Sequence, residues 1–396
     1  MEDFQRHSQR IRSIALRVAF TLVIAAIVVV VIVLKLRHAN STSANGSTSI
    51  TITQVAPAGN KRGAPPASFR SVAFDPVNAN LWWILGVVPC HGAQCAEFAV
   101  TYDGGASYQA VPAPSLPLTT SAEVGALRQS FGFANATDGY AAIGGTLYLT
   151  TDGGAHWIAA GVSSTVYSLA LGTNRAYVAT TSSAGTIAEL SAPIGTTTWS
   201  ALSRSGNYLV AAGHDLWIGT FGGNGAIATL AYSANDGTTF QSVSVPSGVS
   251  CHILSAGGPI WTTCNEGTNL TLAYASTPTA APTTVTAPGA LCPGSSELVP
   301  TSTSDALLSC ENPGSPVEST NDVGGHWHQV LAPLSSNGHW RLLGSPTDQR
   351  VVLAGWEPSQ DSTSLAEVSA FVFSADGGSS WSRVDVPTFT PLLLSP

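Results

Sequence analysis

Beyond residue 38 the chain is acidic, with 9 basic residues against 21 acidic ones, so an arginine there calls for a reason. Three stand out, Arg70, Arg128 and Arg341. Guanidinium forks grip carboxylates through paired hydrogen bonds, and three of them converging would form a pocket for an anion. They fall at matching places in a repeat described below, together with Tyr167, Tyr208, His252 and Glu297. Glu297 with Tyr167 or Tyr208 supplies a carboxylate and a phenol, the kind of pair a glycosidase needs beside such arginines. Glu297 is equally placed to pair with Arg341 and hold structure instead. His156, His326 and His328 lack metal-ligand spacing and read as surface residues, so neither a metal nor another cofactor is expected. The acidic surface repels phosphate backbones, which sets nucleic acid aside as a partner.

The elements that must position these groups are set by composition. Only 10% of the 396 residues are charged, against about 25% in ordinary soluble domains. Gly at 39, Pro at 24 and a single Met speak for short strands and many turns. Apolar residues make up 44%, too many for a disordered chain.

Residues 18–34 form an uncharged apolar run preceded by Arg6, Arg10, Arg12 and Arg17. Its length is at the short end of what spans a bilayer, and the basic flank would stay in the cytoplasm. The expected organisation is a cytoplasmic segment at 1–17, a single transmembrane signal anchor at 18–36, and a Ser/Thr/Gly/Pro-rich tether at 37–66. A folded domain at 67–390 would then lie outside the cell membrane. A cleaved signal peptide is the rival reading, but Lys35 and Arg37 follow the run at once without a small-x-small site.

Cys90, Cys95, Cys251, Cys264, Cys292 and Cys310 fall as neighbours along the chain, which suits local disulfides in an oxidising compartment. Six cysteines allow fifteen pairings, and the zinc alternative has no CxxC spacing behind it. Asn40, Asn45, Asn135 and Asn269 fit the N-x-Ser/Thr acceptor pattern.

One motif recurs: TYDGGASY at 101–108, TTDGGAHW at 150–157, SANDGTTF at 233–240, STNDVGGHW at 319–327 and SADGGSSW at 374–381. It reads Ser/Thr-x-Asp-x-Gly-x-x-aromatic and resembles the Asp-box of sialidases, sortilin-type receptors and photosystem II assembly-factor propellers, often called BNR or WD40/YVTN/BNR-like repeats. Asp103, Asp152, Asp236, Asp322 and Asp376 are its acidic members, expected to shape turns rather than do chemistry. The spacing exposes two decayed copies, SAPIGTTTW at 191–199 and LAYASTPT at 272–279. Seven units result, at about 67–112, 126–160, 165–203, 206–246, 250–288, 295–332 and 339–387, and periods of 40–50 residues with strand content read as propeller blades.

The expected fold is therefore all-β, a seven-bladed β-propeller of four-stranded blades. Trp82, Tyr140, Tyr177, Trp217, Trp261, Leu307 and Val351 are its expected second-strand core. The resemblance implies the fold and is shared by enzymes, receptors and scaffolds alike. Sialidases also carry a Phe/Tyr-Arg-Ile-Pro motif, and this chain has only Ser68-Phe69-Arg70-Ser71. A non-catalytic binding or scaffold module for a protein, peptide or glycan is the first functional expectation, and a divergent exo-sialidase the second.

Overall fold

A computed structural model describes residues 65–66, 68–90, 93–118, 131–222, 227–244, 251–255, 259–266, 269–288, 296–345, 349–357 and 370–384. The expected anchor, the tether and Arg128 lie outside the described residues. Among the described residues no helix is long and apolar enough to cross a membrane.

Turn residues cut the chain into short strands that pair with their sequence neighbours, giving seven antiparallel four-stranded sheets. The first sheet is β1 (Arg70–Pro76), β2 (Trp82–Cys90), β3 (Ala93–Thr101) and β4 (Gln109–Leu118). The second is β5 (Phe131–Phe133), β6 (Gly139–Ile143), β7 (Thr146–Thr150) and β8 (Ile158–Ala159). The third is β9 (Thr165–Leu171), β10 (Arg175–Thr181), β11 (Ile187–Pro193) and β12 (Ser200–Ala201). The fourth is β13 (Tyr208–Ala212), β14 (Asp215–Phe221), β15 (Ile227–Ser233) and β16 (Gln241–Ser242). The fifth is β17 (Cys251–Ser255), β18 (Ile260–Glu266), β19 (Asn269–Ala275) and β20 (Thr283–Val285). The sixth is β21 (Ser296–Pro300), β22 (Ala306–Cys310), β23 (Val317–Thr320) and β24 (His328–Leu331). The seventh is β25 (His339–Gly344), β26 (Val352–Glu357), β27 (Ala370–Ser374) and β28 (Ser382–Val384).

The first strands touch in sequence, β1 to β5 to β9 and onward to β25, and β25 returns to β1. That closed circuit makes the fold an all-β, seven-bladed propeller with the first strands around its channel. Closure is apolar and polar at once. Phe74 meets Phe371 edge to face at 5.1 Å, and Ser345 donates to the Val77 carbonyl at 2.7 Å.

All seven expected core residues are buried, because second strands are sandwiched between neighbouring blades. The register nevertheless corrects two of them. The residue before each turn's Ser or Thr pairs with Trp83, Tyr140, Trp217, Leu307 and Leu353, so Trp83 and Leu353 are the true equivalents, not Trp82 and Val351.

Cys90 and Cys95 are bridged across the β2–β3 hairpin, with Cα atoms 5.7 Å apart. Cys264 stands opposite Cys251 in the β17–β18 ladder and is disulfide-bonded, as is Cys310. Cys292 lies outside the described residues.

Candidate functional site

The recurrent turns are self-contained hydrogen-bond units. Thr101 donates through its hydroxyl to Asp103 at 2.7 Å and accepts the Gly105 N–H at 2.8 Å, while Asp103 accepts the Ser107 N–H at 2.9 Å. The same pattern joins Thr150, Asp152, Gly154 and His156, then Thr320, Asp322, Gly324 and His326, then Ser374, Asp376, Gly378 and Ser380. In the third copy Asn235, not Asp236, takes the carboxylate's place, accepting from Ser233 and the Thr239 N–H. Asp236 sits one residue later at φ 55 and faces His214 and Tyr177. The sequence pattern alone misassigns it, since an Asn-Asp pair offers two candidates for one position.

The turn aromatics bridge blades. The indole N–H groups of Trp157, Trp199 and Trp327 each donate to a carbonyl of the preceding blade, at Pro112, Ala160 and Thr286. Trp199 keeps this role although its copy has lost the Asp. Hydrogen bonds from His326 hold Asp322 down at about 2. Partial burial pushes Asp103 and Asp376 upward, but bonds from Ser107 and Ser380 outweigh it and leave both lowered. These carboxylates stay charged because turns need acceptors.

The expected channel set divides. Two residues beyond the core marker, the first-strand partners are Tyr208, His252, Glu297 and Arg341, with Ser168 and Ala73 at the same level in blades three and one. Arg70 instead faces Val87, two pairs further along, which is the level of His339 opposite Glu357. A register shift between Ser71 and Ala73, together with the Trp82-for-Trp83 offset, displaces it. Tyr167 falls in the irregularity beside Val166, where the ladder slips by one. Arg70 and Arg341 therefore do not share a level, contrary to the alignment read from spacing.

Glu297 and Arg341 do meet. Arg341 Nε lies 3.5 Å from Glu297 Oε1, and Glu297 Oε2 accepts the Leu342 N–H at 2.6 Å. The carboxylate thus latches blade six to blade seven. Two further carboxylates do the same elsewhere. Asp75 Oδ2 accepts the Phe133 N–H at 2.7 Å, and buried Glu189 accepts the Gly206 N–H at 2.7 Å. Sequence reasoning missed both, because neither falls on the aligned first-strand level. Tyr167 lies near Glu189 rather than Glu297, and its hydroxyl donates to the Gly206 carbonyl at 3.4 Å. Burial and the negative charge of Glu189 push Tyr167 up to about 12, so the hydroxyl keeps its proton.

Asp75 also lines a cavity of about 260 Å³ in the channel wall. The remaining lining comes from β5, β9 and β13 and is aliphatic or aromatic apart from backbone, including Phe131, Leu169, Leu171, Leu209 and Val210. Burial pushes the Asp75 carboxyl up to about 7, against the pull of the Phe133 N–H. A second cleft, about 200 Å³, opens between blades six and seven beside Asp305, Arg350 and Asp376. Among the described residues no group of His, Cys, Asp and Glu is arranged to hold a metal ion.

Solved structures share this architecture. A puromycin-hydrolyzing peptidase of Mycobacterium tuberculosis is 10% identical, with 83% of this chain and 54% of that chain covered and a TM-score of 0.55. An uncharacterized protein of Listeria monocytogenes, lmo1340, is 9% identical over 83% of this chain and 99% of its own, with a TM-score of 0.50. YCF48 bound to a D1 peptide is 14% identical over 64% and 79%, at a TM-score of 0.45. At these identities the likeness is one of fold. No family model and no curated protein matches the chain.

Proposed function

We propose that the chain is a non-catalytic binding or scaffold module, an Asp-box propeller held on the outer face of a membrane by an anchor at residues 18–36, with a protein or peptide as partner. The observation that carries this is the employment of the inter-blade carboxylates. Glu297, Glu189 and Asp75 each hold a backbone N–H of the next blade, which makes the ring a stiff platform. A glycosidase needs such groups turned toward substrate, and here Glu297 is tied to both Arg341 and Leu342. The three-arginine anion pocket is not part of this reading.

The recurrent turns read as Asp-boxes because their Ser/Thr hydroxyl and Asp carboxylate close the same loop in four copies, with Asn235 substituting in a fifth. The anchor reading rests on the apolar run and its basic flank.

Two measurements test the proposal on the full chain. Photo-crosslinking in intact cells should capture a peptide or protein on the propeller, and protease added outside should reach the domain beyond the tether. A fluorogenic sialoside should not be turned over. Turnover abolished by Glu297→Gln or Glu189→Gln would overturn the non-catalytic reading, and protection of the domain from outside protease would overturn its placement.

A further inference from the structure

The channel cavity beside Asp75 has a composition that a structural latch does not require. Four consecutive inner strands, β1, β5, β9 and β13, build its wall, and among the described lining residues Asp75 carries the one ionisable side chain. Its Oδ2 is occupied by the Phe133 N–H, while no described residue donates to Oδ1. The residue as a whole is partly exposed and is among those that line the cavity. Leu169, Leu171, Leu209 and Val210 line the same space. At about 260 Å³ the space is below the roughly 300 Å³ at which pockets for drug-sized ligands begin, so it suits one side chain rather than a whole small molecule.

We propose that this cavity receives the lysine side chain of a partner protein or peptide, its methylenes lying along the aliphatic wall and its ammonium on Asp75. The inference rests on the binding-module reading and names the chemistry the partner must present. A long apolar stem with a compact charged tip is the amphipathic shape of lysine. Arginine fits less well, because its planar fork asks for two acceptors in a line and Asp75 has one oxygen to spare. An opposite charge at contact distance favours the ionised carboxyl, and apolar surroundings strengthen the attraction. The raised Asp75 titration fits a carboxyl made for a cationic guest, since desolvation without a countercharge is what such a guest relieves. The acidic chain, at formal charge −8, draws a lysine-bearing partner toward it.

The test uses the full chain in detergent micelles and blocked peptides carrying lysine, ε-acetyl-lysine, norleucine or arginine at one position, followed by titration calorimetry. The lysine peptide should bind at least tenfold more tightly than each of the other three. Asp75→Asn keeps an acceptor for the Phe133 N–H and should erase that preference, and Ala211→Phe, which adds bulk at a lining residue while leaving Asp75 in place, should do so too. Binding of the lysine peptide should also fall tenfold or more between pH 8 and pH 5 as Asp75 takes up its proton. Equal affinity for lysine and acetyl-lysine, a preference surviving in both variants, or no binding of any lysine peptide would overturn the proposal. So would a preference that emerges only in Arg128→Gln, because the chain's own arginine would then be the guest. If photo-crosslinking captures peptides from cells without regard to lysine or Asp75, the binding module stands and the lysine site falls.

Discussion

Removing the Glu297 latch separates the reading of that residue as structure from its reading as chemistry. Two contacts of Glu297 differ in worth. Its bond to the Leu342 N–H is short, 2.6 Å, partly buried and joins two blades. Its ion pair with Arg341 is longer, 3.5 Å, and both side chains keep some solvent, at 18% and 27% exposure. A hydrogen bond to a charged group is worth about 1.5–3 kcal/mol, whereas ion pairs open to solvent contribute about 0.2–1 kcal/mol. Glu297→Ala loses both and leaves the Leu342 N–H without its acceptor, so it should cost about 2–4 kcal/mol. Glu297→Gln keeps a carbonyl acceptor and loses the charge, which should cost about 1–2 kcal/mol. Arg341→Gln removes the ion pair, itself worth under about 1 kcal/mol, and should cost less than Glu297→Ala. Urea unfolding followed by tryptophan fluorescence reads all three, since Trp340 and Trp356 are buried in the same blade. An order with Arg341→Gln as the most damaging change, or a neutral Glu297→Ala, would refute the latch.

Three further outcomes follow from the geometry. Between pH 4 and pH 7 the folded state holds a proton on Asp75 that the unfolded chain releases, so its stability contribution is complete below pH 4 and falls as pH rises to 7. A shift from 3.8 to about 7 sets a ceiling of about 4 kcal/mol on that contribution. Urea midpoints across that range should rise for Asp75→Asn at pH 8 and match wild type at pH 4. The turn carboxylates have the opposite sign. Asp103, Asp322 and Asp376 are lowered, so their contribution is present above pH 4 and lost on acidification, and thermal melts should drop steeply below pH 3. Gly105→Ala should cost about 2–4 kcal/mol in urea, because the residue sits at φ 89 and a Cβ would lie 2.6 Å from Val384 and 2.8 Å from Trp82.

How much was legible in the sequence depends on how local the cause is. The turn chemistry is local: a Ser/Thr, an Asp, a Gly and an aromatic within eight residues specify their own bonds, and seven units with buried second strands follow. Trp199 shows that even a copy without its Asp keeps the inter-blade contact, which is why spacing could recover it. Register is less local. The slip between Ser71 and Ala73 changes no hydrophobic pattern that spacing can read, yet it takes Arg70 away from the level of Arg341. Asp236 was misread for a related reason, since two adjacent acceptor side chains satisfy one pattern and only the backbone decides between them.

The inter-blade latches are the least local of all, and they carry the functional argument. Phe133 lies 58 residues from Asp75, Leu342 45 residues from Glu297, and Gly206 17 residues from Glu189. The repeat marks Glu297 by position, but nothing in it marks Asp75 or Glu189, because each serves a different blade junction at a different strand level. That irregularity has a physical sense. Apolar packing brings the blades together, and a backbone N–H left unpaired at a junction needs an acceptor wherever the local twist leaves one. At Asp75 the carboxyl that accepts the Phe133 N–H belongs to a residue that also lines the channel cavity, so on the lysine proposal structure and recognition would share one side chain. Asp75→Asn parts the two by keeping an acceptor for that bond while removing the charge.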